Sequence, residues 1–280
     1  MTESSGLRTL LKSSFSTGDF YRAMNDSFMQ MFGKYGMLHF SYFKHPDDDL
    51  FQGQINLTEH CISRLPELKG KNILEIGCGN GFQSLYILDK FKPGSVTGID
   101  INEYSINIAK ARVVEGNIQN ATFHVDNAQE LTKVESESMD MVINIESAFH
   151  YPDKDKFLSE IHRVLKPGGL FLIADILNKK DDANLSPKKW RKGMSLFHWS
   201  ENTYMEAFKR HGLELKEKED ITQPVIKGFK QYKNWFPKKR IVGFFHYQAL
   251  KIFTLINVYI NIFLFSRRRD YIVFTGIKSK

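Results

Sequence analysis

The sequence predicts an α/β fold in which a mostly parallel sheet carries helices on both faces. Three observations carry that expectation. Short apolar runs alternate with segments of helical spacing from residue 71 to 176. The first run leads into a glycine-rich turn, "LEIGCGNGFQS" (74–84). Chemistry-bearing residues stand directly after Ile76, Ile99, Val125 and Ile145, where the strands should end. Ligands of parallel sheets bind beyond the carboxyl ends of the strands, so these four ends are the expected site.

The elements follow in order. "KNILEIG" (71–77) is a short apolar run closed by glycine and reads as a buried strand. "FQSLYILDKF" (82–91) has helical spacing and stops at Pro93-Gly94. "SVTGID" (95–100) is the second strand; Asn102 then caps a helix with Glu103 in its first turn and Gly116 at its end. "ATFHVD" (121–126) alternates as the third strand, and "MDMVINI" (139–145) is the fourth. In "DKDKFLSEIHRVLK" (153–166), Phe157, Leu158, Ile161, Val164 and Leu165 share one helical face, which Pro167-Gly168-Gly169 breaks. "LFLIADI" (170–176) is the fifth strand, Ser200 to Arg210 a capped helix stopped by Gly212, and "DYIVFTGIK" (270–278) the final strand. This layout divides the chain into a helical cap (1–70, with helix-like stretches at 20–32 and 54–65), an α/β core (71–221), a helical insertion (222–268) and a closing strand (269–280). Insertions of this kind shape a substrate site or a lid.

Composition bounds the remaining classes. At 280 residues the chain suits one large domain with an appendage, and 42% hydrophobic with 25% charged residues is globular. Two cysteines, Cys61 and Cys78, cannot build a disulfide scaffold or a four-ligand zinc site, so a reducing, cytoplasmic setting is expected. "MTESSGLRTLLKSSFSTG" offers only Leu10-Leu11 as an apolar pair, short of a signal-peptide core, and the histidines lack metal-site spacing. The net charge of +7 is uneven: residues 1–178 hold 17 Lys+Arg against 23 Asp+Glu, and residues 179–280 hold 22 against 9. The basic third suits an anionic partner such as a membrane, a phosphorylated substrate or nucleic acid; a solvated surface is the alternative.

The strand ends narrow the ligand. Gly77, Gly79 and Gly81 let a ligand approach the backbone, and the helix that follows offers free N–H groups. Phe82 occupies the third-glycine position of the dinucleotide fingerprint, which argues against NAD, and no Lys-Ser/Thr follows for a nucleotide phosphate. Glu75 would repel a pyrophosphate but suits a cation. Asp100, followed by Ile101, can take both hydroxyls of a ribose. Asp126, with Asn127 and Ala128 behind it, is positioned for an adenine edge. A nucleoside without phosphate but with a positive centre is what these residues ask for, and S-adenosylmethionine meets that description.

"LEIGCGNG", Asp100, "VDNAQEL" (125–131), "NIESAFHYP" (144–152) and "FLSEIHRVLKPGG" (157–169) resemble class I S-adenosylmethionine-dependent methyltransferases. The chain is similar to the branch that acts on small lipophilic molecules, the sterol, tocopherol, prenyl and phthiotriolone-type enzymes. "LHFSYF" (38–43) resembles that branch's "LHxGYW" segment, with Ser41 and Phe43 where Gly and Trp are usual. The resemblance implies a Rossmann-like seven-stranded sheet with an antiparallel last strand. It implies that Gly77, Cys78, Gly79 and Gly81 approach the methionine part, Asp100 and Ile101 the ribose, and Asp126, Asn127 and Ala128 the adenine. Asn144 and Ile145 would line the cofactor floor. Base-modifying and pyrimidine-carbon methyltransferases are disfavoured, because Asn144-Ile145-Glu146-Ser147 offers neither a proline-aromatic tetrad nor a cysteine; nucleic acid is therefore not the expected partner.

Methyl transfer is an in-line displacement that needs aligned reactants and removal of the acceptor's proton. His150 is the first candidate base and Glu146 the second. His39 and Tyr42 are candidates for closing over the cofactor, and Phe149 and Phe253 for lining a greasy substrate site. "IVGFFHYQALKIFTLINVYINIFLF" (241–265), followed by "SRRRD", stays open to three readings: pocket-wall helices, an interfacial helix on anionic lipid, or a membrane span. Rival functions are a cofactor-binding scaffold without transfer and a methyltransferase-fold cyclase.

Overall fold

Seven strands make the main sheet of the computed structural model, which describes residues 16–180, 188–191, 194–231 and 244–279. They are β1 (Asn72–Ile76), β2 (Ser95–Asp100), β3 (Ala121–Val125), β4 (Met139–Ile145), β5 (Leu165–Asn178), β8 (Leu213–Asp220) and β9 (Arg269–Lys278), in the spatial order β3-β2-β1-β4-β5-β9-β8. Strands β1 to β5 run parallel, and β9 is antiparallel to both β5 and β8. This is the Rossmann-like sheet with an antiparallel closing strand. A two-stranded hairpin, β6 (Lys188–Arg191) and β7 (Met194–Leu196), lies apart from it.

Period-two alternation splits the core between the two faces of the sheet. Ile73, Met141, Ile143 and Leu172 face one way and pack with Leu57, Cys61, Phe229 and Phe265. Leu74, Val142 and Ile173 face the other way and pack with Phe157, Leu158, Tyr204 and Phe208. The helices around the sheet are α1 (Thr17–Phe32), α2 (Leu50–Ile62), α3 (Phe82–Phe91), α4 (Glu103–Glu115), α5 (Lys154–Val164), α6 (Glu201–Arg210), α7 (Thr222–Gln231) and α8 (Phe244–Arg267); Ile106 and Ala109 of α4 pack in a separate cluster with Ala121 and Phe123 of β3. The expected face of α5 is buried as drawn: Phe157, Leu158, Ile161 and Val164 are all solvent-inaccessible.

Three boundaries depart from the sequence reading. β5 begins at Leu165, directly after α5, but its pairing with β4 jumps from Met139–Leu165 to Met141–Leu170, so Pro167-Gly168-Gly169 falls in a bulge between the two. α2 starts at Leu50, since Asp49 caps it by accepting the Gln52 N–H at 2.7 Å. β8 was not legible: six of its eight residues are charged and only Leu213 is buried. An edge strand can be this polar, and Arg64 straps it down by bridging Glu217 (3.1 Å) and Glu219 (2.9 Å).

Register brings the strand ends together. Ile76 pairs with Ile99, Asp100 with Val125 and Ile145 with Ala174, so the residues that follow β1 to β4 stand side by side at one edge. Helix α1 is pinned across that edge. Asn25, wholly buried, accepts from Asn80 Nδ2 at 2.8 Å and donates to Ser105 Oγ at 3.3 Å. Asn80 also donates to the Gly36 carbonyl at 2.9 Å, and Tyr104 donates to Asp26 at 2.6 Å. Asn25→Ala would leave Asn80 and Ser105 short of a partner in the interior and should cost about 1–3 kcal/mol. Urea unfolding measures this, with faster amide exchange in α1 as the local sign; an unchanged midpoint and exchange pattern would mean that the latch contributes nothing.

Candidate active site

The glycine turn can follow only this path. Gly77 and Gly81 have φ of 78° and 73°, in the left-handed region that glycine tolerates best. A Cβ on Gly77 would collide with the Ser147 side chain, and one on Gly81 would come within 2.6 Å of the Ala109 Cβ. Asp100 fixes the turn from the end of β2: one carboxylate oxygen accepts the Gly79 N–H at 2.9 Å and the other the Asn102 N–H at 2.8 Å. Burial pushes this carboxyl above its ordinary range, while the two backbone N–H groups favour the charged form.

A cavity of about 250 Å³ opens over this turn, and most of the residues expected from the sequence line it: His39, Glu75, Gly77, Cys78, Gly79, Asp100, Ile101, Asp126, Asn127, Ala128, Ile145, Glu146 and His150. The rest stand behind or away from the wall. Gly81 caps α3 from below. Asn144 donates to the Ile76 carbonyl (2.9 Å) and Ser147 Oγ (2.6 Å), so it braces the turn. Tyr42 stacks on His60 with ring centroids 4.7 Å apart, and Phe149 packs between His150 and His198. Phe253 lies on α8, and its side chain falls outside the described residues.

The wall also includes residues that the strand pattern did not reveal. Tyr21 on α1 places its hydroxyl 2.9 Å from His150 Nε2. Met37, Gln83, Gln129, Ser147 and Tyr151 contribute as well. Tyr21 and Met37 come from the N-terminal cap, where no periodicity marks a site. Gln129 and Ser147 lie inside "VDNAQEL" and "NIESAFHYP" and were within reach of the motif. The Asp126 carboxylate accepts the N–H groups of Asn127 (2.8 Å) and Lys133 (2.8 Å) and the Thr132 hydroxyl (3.2 Å), which organises the loop it heads.

The cavity is acidic. Glu75 is buried and held by the Ser84 hydroxyl, and burial pushes its carboxyl up to about 7. Glu146 is also buried, accepts from the Phe40 N–H (2.9 Å) and the Tyr271 hydroxyl (3.1 Å), and is pushed up by burial to about 8. Its φ of 55° is a left-handed conformation for a residue with a Cβ, a local strain that turns the chain back over the cavity. His39 is neutral near pH 7, because burial lowers it to about 4. Among the described residues no Lys or Arg lines the cavity.

These features fit a ligand with a nucleoside and a positive centre. Asp100 offers acceptors for paired hydroxyls, the Asp126–Gln129 loop offers a polar edge, and Glu75 offers a negative charge beside the open turn. The fold and this site define a Rossmann-like methyltransferase. Residues 67–228 match the family model described as a methyltransferase domain, more than half of the chain, and the chain belongs to that family, whose methyl donor is S-adenosylmethionine.

Among relatives, the chain is similar to a fatty-acid O-methyltransferase of Mycolicibacterium smegmatis, 37% identical over 134 residues, 48% of this chain and 47% of the relative. It is also similar to a phthiotriol/phenolphthiotriol dimycocerosates methyltransferase of Mycobacterium tuberculosis, 34% identical over 136 residues, 46% of each. The alignments thus span about half the length of these curated relatives. Among solved structures, the [4+2]-cyclase SpnF shares the fold with a TM-score of 0.73 at 18% identity, covering 95% of this chain and 98% of the other.

The raised carboxyls carry a sign for pH. Glu146 titrates near 8 in the folded chain against an ordinary 4.5, so the folded state holds a proton that the unfolded state releases. Its contribution to stability is present in full below about 4.5 and is lost as pH rises through 8. His39 acts in the opposite sense at lower pH, so the comparison of wild type with Glu146→Gln isolates the carboxyl. The variant should gain on the wild type in melting temperature between pH 5 and 8; parallel curves would contradict the assignment.

Proposed function

We propose that the protein transfers the methyl group of S-adenosylmethionine to a lipophilic small molecule. The observation that carries this reading is one cavity in which Asp100, Glu75 and the Asp126–Gln129 loop surround an open glycine turn, with His150 and Glu146 on the same wall. The bound cofactor supplies a sulfonium-activated methyl group. Gly77 and Gly79 let the backbone approach it, Asp100 takes the ribose hydroxyls, Asp126 and Asn127 face the adenine, and Glu75 faces the positive end with Ile145 beneath.

His150 is the base in this reading, removing the acceptor's proton while Tyr21, 2.9 Å from its Nε2, sets the ring's orientation. Glu146 is the weaker candidate: its carboxyl holds its proton near neutrality, and one of its oxygens accepts from Phe40 and Tyr271. The lipophilic acceptor is supported by the two relatives, which are named for a fatty acid and for phthiotriol compounds. The free, buried cysteines Cys61 and Cys78 agree with a cytoplasmic setting.

The test is incubation of the protein with a methyl-deuterated donor and a lipid extract of its host, followed by mass spectrometry. The reading predicts a lipid product carrying one labelled methyl group; an extract with no labelled product would favour a scaffold, and an unlabelled rearranged product a cyclase. His150→Ala should lower turnover by roughly 10²–10⁴ while S-adenosylhomocysteine still binds. A loss below tenfold would move the role to Glu146 or mean that alignment of the reactants alone suffices.

A further inference from the structure

Helix α8 is apolar on both of its long faces. Val258 and Phe265 point inward, and Phe265 packs against Phe40 and Phe229 with centroids 5.7 and 5.6 Å away. On the other side Ile252, Ile256, Tyr259, Ile260 and Phe263 are between 47% and 70% exposed. Their spacing (i, i+4, i+7, i+8, i+11) falls within one arc of about 100° at 100° per residue, and Arg267 continues the same arc. The arc extends over roughly 22 Å of helix. A helix with apolar residues on two opposite faces is normally covered on both, and a contiguous exposed apolar face marks an interaction surface.

The charge around this face selects its partner. From Ile221 to Arg269 the chain has ten Lys and Arg and no Asp or Glu. Arg267 and Arg268 at the end of α8 and Lys227 and Lys230 on the adjoining α7 are exposed. Arg269 is not part of this set: it opens β9, is buried, and burial lowers its guanidinium to about 10. An apolar stripe beside cations and free of acids matches an anionic lipid surface, where side chains enter the acyl boundary and cations meet headgroups. A nucleic acid would use the cations and leave five large apolar side chains in water. No helix among the described residues is long and apolar enough to cross a membrane, which leaves contact in the plane of the interface.

The position of the helix gives the contact a use. Because β9 is antiparallel to β5 and Arg269 pairs with Asn178, α8 ends at the sheet edge that carries the cavity. Its inner face reaches that cavity through Phe40, whose N–H is held by Glu146.

We propose that the exposed face of α8 docks on an anionic phospholipid bilayer and holds the cavity edge of the sheet at the lipid surface. The docking itself goes beyond the methyl-transfer reading and does not depend on it. The test is flotation of the full chain with phosphatidylcholine vesicles, with and without phosphatidylglycerol, at low and high salt. The protein should float with the anionic vesicles at low salt and be released at high salt. Ile256→Glu with Phe263→Glu should abolish flotation, and Arg267→Gln with Arg268→Gln should weaken it about thirtyfold, while the melting-temperature rise caused by S-adenosylhomocysteine stays as in wild type. Failure of the wild type to float, or equal flotation of the Ile256→Glu/Phe263→Glu protein, overturns the proposal. So does a wild-type dimer that this double variant splits in sedimentation velocity, since the face would then belong to a second copy. Loss of the S-adenosylhomocysteine response with flotation intact would instead count against the cofactor site.

Discussion

One carboxylate holds the cavity's geometry. Asp100 stands at the end of β2 and accepts N–H groups from two directions, Gly79 in the turn after β1 and Asn102 at the cap of α4. Without it, the Gly79 N–H at the half-buried turn would lose its carboxylate acceptor. The dependence continues outward. Asn80, the next residue of that turn, holds Asn25 of α1 and the Gly36 carbonyl, so the N-terminal cap is registered on the same feature. The position of Tyr21 opposite His150 follows from that registration.

The cavity gathers negative groups that an apolar interior would reject. Burial raises Glu75, Asp100 and Glu146 together, and hydrogen bonds from Ser84, two backbone N–H groups, Phe40 and Tyr271 offset part of the cost. Such an arrangement stores affinity for a cation: a positive ligand near Glu75 favours loss of its proton and regains a charge interaction in a low-dielectric setting. An anionic ligand gains nothing there. The same physics disfavours a pyrophosphate-bearing dinucleotide.

The sheet was legible because buried parallel strands are short apolar runs closed by turn residues, and five of its seven strands show that pattern together with the final one. The strand ends were legible for a related reason: a carboxylate interrupts or ends an apolar run wherever it stands, so Glu75, Asp100 and Asp126 stood out. What escaped was set by tertiary contact. β8 is a charged edge whose only buried side chain is Leu213, and its place depends on Arg64, two residues past the end of α2, and on pairing with β9. Tyr21 belongs to an amphipathic helix in which nothing local separates a cavity-facing tyrosine from a packing one. Tyr42 shows the reverse error: its neighbourhood in "LHFSYF" pointed to the site, yet its ring lies on His60.

On the proposed reading, Asp100 makes this cavity an S-adenosylmethionine site. Calorimetric titration of S-adenosylhomocysteine into wild type and Asp100→Asn tests it most directly, because asparagine keeps the shape but replaces one acceptor with a donor facing a backbone N–H. Wild type should show saturable one-site binding, and the variant a loss of about tenfold to a hundredfold in affinity. Equal affinity of the two proteins, or no binding to wild type, would contradict it.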